Sequence, residues 1–421
     1  MTNYKKLIGL SIIVLIINLL VSALGFIKEI LVANYFGISH ILDLYNLGIV
    51  IPLMFIGVIS SVIVSVVTPR YIASNNKKFF VSKNFKDLLF LNLFISIALS
   101  FFLSFFLNFF FSDYSLEDRN LIKYITYSFI PIIFLQSFSS YMDALLNSED
   151  KILKNTILGL FLPLGMIISL ISFHEYGLFS LIFGFYIGYS IKVAIQFFIY
   201  KKIFFNLKNN SDIDDNQIYV RDDFINLFFS SLILAIMPVV INIYASKFGS
   251  GTVSSMNYAY KLVSIGSMLS VSIINSVYFP YIGKKFKENK NSALYESIRI
   301  TFFAMFLISI ILIPVYFYAY DIVSILFERG EFGENSVQKV SLILKEFVWY
   351  IPFYIGALFL SRTVLSLGRS RVFFFGNIIS IVVLGFSLFL LNTLNKFDIG
   401  FAFFAVYSIS FIYLLANCLR K

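Results

Sequence analysis

The sequence predicts an all-α polytopic membrane protein: twelve transmembrane helices in two pseudo-symmetric six-helix bundles around a central cavity. Three observations lead there. The chain is 59% hydrophobic and only 13% charged, with mean hydropathy +0.87, where a soluble domain carries roughly a quarter charged residues. Apolar runs long enough to cross a bilayer, about 20 residues each, recur twelve times. Lys and Arg are distributed between alternate connections as they are between cytoplasmic and external loops.

The expected spans of the first half are 7–36, 43–68, 88–111, 121–146, 152–173 and 177–200. The first follows Lys5 and Lys6 as a signal peptide would. No small-x-small cleavage site closes a short apolar core, so the run reads as a retained span. A polar linker, 201–223, carries Asn209, Asn210, Ser211, Asp212, Asp214 and Asp215 and suits a surface loop. The second half follows with 224–247, 253–282, 298–320, 340–367, 372–392 and 397–418. The expected organisation is an N-terminal six-helix lobe over 1–200, the linker over 201–223, and a C-terminal six-helix lobe over 224–421.

The connections that alternate from the N-terminus hold 22 of the 33 Lys and Arg residues, and the opposite connections hold seven. That bias puts both termini and the linker in the cytoplasm. The net charge of +10 therefore faces an anionic leaflet rather than nucleic acid. The other four basic residues stand well inside spans, away from any connection: Lys28, Lys192, Lys261 and Arg362.

The halves repeat each other. Ala33-Asn34-Tyr35-Phe36-Gly37 returns loosely as Ala245-Ser246-Lys247-Phe248-Gly249. Pro69-Arg70-Tyr71-Ile72 with Lys77 and Lys78 returns as Pro280-Tyr281-Ile282 with Lys284 and Lys285, and Pro131 is echoed by Pro352. Six spans per half is an even number, so the halves share one orientation, as in transporters built from parallel repeats.

The stretch 22–72 places Lys28, Glu29 and Asp43 in or beside two apolar runs. Such charges cost several kcal/mol at membrane depth unless paired or wetted, which marks a polar site between helices. Lys28 and Lys261 come from corresponding regions of the two halves. Packed face to face, the halves would point both ammonium groups into one cavity, suited to an anionic diphosphate. The structural alternative for Lys28 is a pair with Glu29 or Asp43, or snorkelling. Asp43 reads equally as a helix N-cap, and Glu29 as the balance for Lys28. Lysine is a point charge without arginine's fork, so recognition is expected to be looser than with arginines. Asp143 and Arg362 occupy related positions, and read as a structural pair or a coupling-ion site. Lys192 reads as snorkelling to the cytoplasmic side. The segment 327–332 reads as a tight turn at Gly330, with Arg329 capping or pairing with Glu331 or Glu334.

The chain resembles the MurJ (MviN) lipid II flippases of the multidrug/oligosaccharidyl-lipid/polysaccharide exporter superfamily. Leu24-Gly25-Phe26-Ile27-Lys28-Glu29 is similar to the family's L-G-F-x-R-[DE]. Phe36-Gly37, Asp43 and Ile51-Pro52 follow in order. Ser250-Gly251-Thr252-Val253-Ser254 leads to Tyr258-Ala259-Tyr260-Lys261-Leu262, and Leu326-Phe327-Glu328-Arg329-Gly330-Glu331-Phe332 resembles L-F-x-R-G-x-F. The chain departs from the pattern where Ala23 replaces a cavity arginine, where Met54-Phe55-Ile56-Gly57 replaces a basic cluster, and where Ser60 and Ser61 stand in place of an acidic residue. Lys28 and Lys261 take the places of two arginines, and twelve helices are expected where the family usually has fourteen.

The resemblance implies a multi-pass transporter of the bacterial cytoplasmic membrane that flips a polyprenyl-diphosphate-linked saccharide by alternating access. Its partners would be that substrate and membrane lipids, with no oligomer indicated. The substrate-binding residues would be Lys28, Lys261, Asp43 and Glu29. Two alternatives are an exporter of O-antigen or capsule repeat units and a cation-coupled multidrug exporter using Asp43 and Asp143. No phosphate-binding G-x-x-x-x-G-K-[ST] motif occurs, so a Na+ or H+ gradient or the membrane potential would supply the energy. No cofactor is expected. One cysteine, Cys418, and two distant histidines, His40 and His174, hold no metal site. The chain has no large extramembrane loop with catalytic acids, so an enzyme is not expected.

Overall fold

A computed structural model of the chain describes residues 2–74, 76–112, 114–149, 151–205, 227–228, 231–233, 235–274 and 278–419. Among these residues there is no sheet, only an isolated antiparallel bridge between Arg329 and Phe332. The architecture is an all-α membrane fold. Among the described residues ten helical runs are long and apolar enough to cross a bilayer. An eleventh is a pair, Glu334–Val348 with Ile351–Ser366, bent by 44°. The expected span 253–282 falls on the helix Thr252–Ile273, which ends earlier, with Phe279–Glu288 a separate helix. Thr252–Ile273 is long enough to span, but its serines, Asn257 and Lys261 make it too polar to stand among apolar spans. Residues 206–223 of the expected linker lie outside the described residues, and α8 (defined below) runs on through its first five positions to Phe205.

The chain divides into two compact units, Met1–Tyr35 with Leu44–Val239, and Phe36–Asp43 with Val240–Lys421. In the N-terminal unit the helices are α1 (Thr2–Phe36), α2 (His40–Ala73), α3 (Lys77–Phe110), α4 (Leu116–Ser128), α5 (Ile130–Ser148), α6 (Ile152–Leu158), α7 (Phe161–Phe173) and α8 (Leu178–Phe205). Local sequence sets the ends. Asn76 accepts from the Phe79 N–H at 3.1 Å to cap α3, and Ser115 caps α4 through Asp118 at 3.1 Å, each satisfying a donor the helix itself cannot pair. The fourth span is two helices rather than one. Pro131 cannot donate and its ring would clash in a continuous helix, so the chain breaks at Phe129 and Pro131 falls in the first turn of α5.

The antiparallel pair α7–α8 packs backbone to backbone. A Cβ on Gly188 would sit 2.7 Å from the Leu162 Cα, and one on Gly165 would sit 2.5 Å from the Gly188 nitrogen. Small residues allow this approach, which replaces the hydrophobic drive that helices lack in lipid. Gly48 does the same for α2 and α4: its carbonyl accepts from the Thr126 hydroxyl at 2.8 Å.

In the C-terminal unit the helices are α9 (Met237–Ala245), α10 (Thr252–Ile273), α11 (Phe279–Glu288), α12 (Lys290–Phe317), α13 (Ala319–Phe327), α14 (Glu334–Val348), α15 (Ile351–Ser366), α16 (Ser370–Thr393) and α17 (Ile399–Leu419). Pro352 breaks the α14–α15 span as Pro131 breaks the fourth. Ala357, Leu360, Val364, Phe411, Leu414 and Cys418 form a core between α15 and α17. The Arg369 guanidinium donates to the Asn417 carbonyl at 2.6 Å and ties the turn after α15 to the end of α17.

Candidate functional site

In the N-terminal unit, α1 carries Lys28 and Glu29 as an ion pair between consecutive residues. The Lys28 side chain keeps 17% of its surface and that of Glu29 11%. The ammonium is thus neutralised while remaining reachable.

Deeper in the same unit, α5 and α8 share a second polar cluster. Asp143 accepts from Lys192 Nζ at 2.8 Å and from Gln196 Nε2 at 2.7 Å. Lys192 is 9% exposed and Gln196 fully buried. Lys192 therefore does not snorkel, as its sequence position suggested. A carboxylate across the helix pair gives the ammonium a nearer partner than the interface. Arg362, on α15, lies over the Phe279 ring of α11 at 5.8 Å, a cation–π contact. The ion-pair partner of Asp143 is Lys192, 49 positions away.

In the C-terminal unit, Asp43 sits at the N-terminus of α10. Its Oδ2 accepts from the Gly251 N–H at 2.5 Å, and its Oδ1 accepts from the Ser254 N–H at 2.7 Å and the Ser254 hydroxyl at 2.5 Å. Asp43 is 3% exposed. The first N–H groups of a helix have no partner within it and carry the positive end of its dipole, which is what a buried carboxylate needs. Asp43 is not the cap of its own helix. Ser39 fills that place for α2, accepting from the Leu42 N–H at 3.3 Å. Gly251, at φ +83°, makes the left-handed entry to α10. Sequence reasoning missed Gly251 and Ser254 as partners of Asp43, although Ser250-Gly251-Thr252-Val253-Ser254 has the composition of a helix start.

The turn at Gly330 holds this arrangement from below. Phe327 and Phe332 are fully buried and pack with Tyr258 of α10 at ring separations of 5.2 and 5.3 Å. Arg329 caps α13 by donating to the carbonyls of Ile325 and Leu326 at 2.9 and 3.1 Å. The Glu331 backbone lies against Gly37, where a Cβ would come within 2.4 Å of the Glu331 oxygen. One face of α10 presents Asn257, Tyr260, Lys261 and Ser264 at i, i+3, i+4 and i+7. Lys261 lies over the Tyr258 ring at 5.3 Å, and Asn257 donates to Asn242 at 3.0 Å.

This fold and this order of motifs have counterparts among known proteins. The model of the family described as lipid II flippase MurJ matches residues 32–421. The chain belongs to the MurJ lipid II flippase family. A relative from Aquifex aeolicus (strain VF5), named as a probable lipid II flippase MurJ, is 24% identical over 348 residues, 78% of this chain and 66% of the relative. The match thus spans just under two thirds of that relative's length. Among solved structures, a lipid II flippase MurJ in an inward closed conformation has TM-score 0.75 at 22% identity, over 96% of this chain and 87% of the other. An inward-facing multidrug resistance MATE family transporter of the MOP superfamily has TM-score 0.68 at 16% identity, over 97% and 96%. At these identities the two structures are likenesses of fold. Within the MurJ family pattern, the matched region includes Asp43, the Ser250–Ser254 entry to α10, Lys261 and the Gly330 turn, and it begins just after Lys28 and Glu29.

Proposed function

We propose that this MurJ family member is a flippase. It takes a polyprenyl-diphosphate-linked saccharide, lipid II or a related precursor, from the cytoplasmic leaflet and releases it outside by alternating access. The observation that carries the reading is the family match over residues 32–421. Lys28 and Lys261 receive the phosphates, with Glu29 as the counter-ion that Lys28 exchanges for substrate. Asp43 supports the site by fixing the start of the helix that carries Lys261. Both termini lie in the cytoplasm of a bacterial cell, a reading supported by the 22-to-seven bias of basic residues between alternate connections. The driving force is the membrane potential or a Na+ or H+ gradient. About 2.3 kcal/mol per charge per 100 mV is enough to bias a step that moves one or two charges.

The test is lipid II translocation by purified protein in liposomes. Lys28→Ala and Lys261→Ala are each expected to lower substrate affinity by about tenfold to a hundredfold, because a desolvated charged contact is worth about 1.5–3 kcal/mol. Lys→Arg at either position keeps the charge and adds donors, and activity is expected to survive. Wild-type translocation by the Lys28→Ala, Lys261→Ala double variant would overturn the reading.

A further inference from the structure

Beside Lys261 the C-terminal unit holds an aromatic ladder that no step above uses. The Tyr260 ring of α10 stacks with Phe403 of α17 at 6.4 Å, with 27° between planes. Phe403 stacks with Tyr407 at 6.1 Å and 22°, and Tyr407 with Tyr350, the residue just before α15, at 5.5 Å and 26°. Tyr354, one turn on from Tyr350, meets Tyr407 edge-on at 4.9 Å. Phe403 and Tyr350 are buried behind, Tyr407 and Tyr354 are half-buried, and Tyr260 is 48% exposed.

Two features distinguish this ladder from lipid-facing bulk. The first is its side of α10. Tyr260 falls on the same face as Asn257, Lys261 and Ser264, and an asparagine and an ammonium on a lipid-facing stripe would be costly. The exposed ring therefore opens toward water. The second is its hydroxyls. A buried tyrosine normally finds a hydrogen-bond partner, yet among the described residues the phenols of Tyr260, Tyr350, Tyr354 and Tyr407 make no hydrogen bond. Tyr350 is 3% exposed, so a nearly buried side chain keeps a free donor and acceptor at the edge of the stack. Flat rings with unspent hydroxyls, reached from water, match the apolar face and the hydroxyl rim of a pyranose.

We propose that Tyr260, Tyr350, Tyr354 and Tyr407 form a saccharide subsite. The sugar stacks on Tyr260, its hydroxyls exchange hydrogen bonds with the phenols, and the diphosphate stays on Lys261 beside it. The inference rests on the flippase reading and adds to it which end of the substrate the C-terminal unit recognises.

The test compares two probes on the purified full chain, undecaprenyl diphosphate and lipid II, which differ by the saccharide and its peptide. Wild-type protein is expected to bind lipid II about tenfold more tightly, as one stack and one or two hydrogen bonds would give. The Tyr354→Phe, Tyr407→Phe double variant keeps the packing and removes hydroxyls, and Tyr260→Ala removes the exposed ring. Each is expected to shrink that ratio to about threefold or less while binding of undecaprenyl diphosphate stays at wild-type strength. A ratio unchanged in both variants overturns the subsite. So does a wild-type ratio of one, or a parallel loss of both probes. Wild-type protein that binds neither probe overturns the flippase reading itself, and the subsite with it.

Discussion

Replacing Asp43 with alanine removes the acceptor of three hydrogen bonds at one helix terminus. The Gly251 and Ser254 N–H groups have no helical partner of their own, so both are left unsatisfied at a buried position. Each such group costs about 1–3 kcal/mol, and the lost carboxylate–dipole attraction adds about 0.3–1 kcal/mol. Water that enters the vacated space returns part of this, which puts the loss at about 3–5 kcal/mol. Asparagine behaves differently. Its Oδ1 can keep both bonds to Ser254, while its amide N–H faces the Gly251 N–H, so Asp43→Asn is expected to lose about 1–2 kcal/mol. Detergent-purified protein titrated with denaturant is a suitable assay, because the one tryptophan, Trp349, lies in the same compact unit as Asp43 and reports on it by fluorescence. The expected order of midpoints is wild type, then Asp43→Asn, then Asp43→Ala. An Asp43→Ala midpoint equal to wild type would refute the capping account.

Asp143→Ala leaves the Lys192 ammonium buried without its carboxylate, an expected cost of about 3–5 kcal/mol. Adding Lys192→Met should recover most of it in a denaturant titration followed by circular dichroism, whereas a double variant no better than the single would mean the pair is not what stabilises α5 against α8. Glu149, in the connection after α5, accepts from Tyr71 at 2.8 Å and Lys151 at 2.6 Å. Burial works against its ionisation, but bonds from Lys151, Tyr71 and Tyr200 outweigh it and hold the carboxyl below the ordinary value of 4.5. A lowered carboxyl contributes stability that is fully present above the unfolded value and lost as pH falls through the folded one. Stability should therefore decline below about pH 4.5, and Glu149→Gln should flatten that decline. An identical acid limb in the variant would assign the decline to other groups.

The helices were legible in the sequence because lipid imposes one requirement, a long apolar run with internally satisfied backbone. Two of the spans that broke did so at Pro131 and Pro352, both visible beforehand as prolines, though not as full interruptions, while the fifth broke after Leu158, at Gly159. The span expected at 253–282 was legible despite its polarity and agreed with the alternation of basic residues, though the helix ends at Ile273. The polar partners were less legible. Lys28 and Glu29 are neighbours in sequence, and their pairing could be read directly. Lys192 and Asp143 lie 49 positions apart, and Asp43 and Ser254 lie 211 apart. Local periodicity says which face of a helix a side chain occupies but not which helix comes to meet it. The tyrosine ladder was hidden for the same reason, since its rings come from three helices and their stacking is a property of the crossing.

The segment Phe36–Asp43 belongs to the C-terminal unit although it precedes nearly all of the N-terminal one. During synthesis Asp43 leaves the ribosome 208 residues before Gly251, an interval of about 10–40 s at roughly 5–20 residues per second. Throughout that interval the Asp43 carboxylate lacks the helix start that later holds it. That helix, in turn, is too polar to enter lipid easily by itself and finds its terminal acceptor already in place. The later unit is thus completed by the earlier chain, and a division at the apparent midpoint would not yield two self-sufficient halves. The second would lack the eight residues whose Asp43 closes the start of α10.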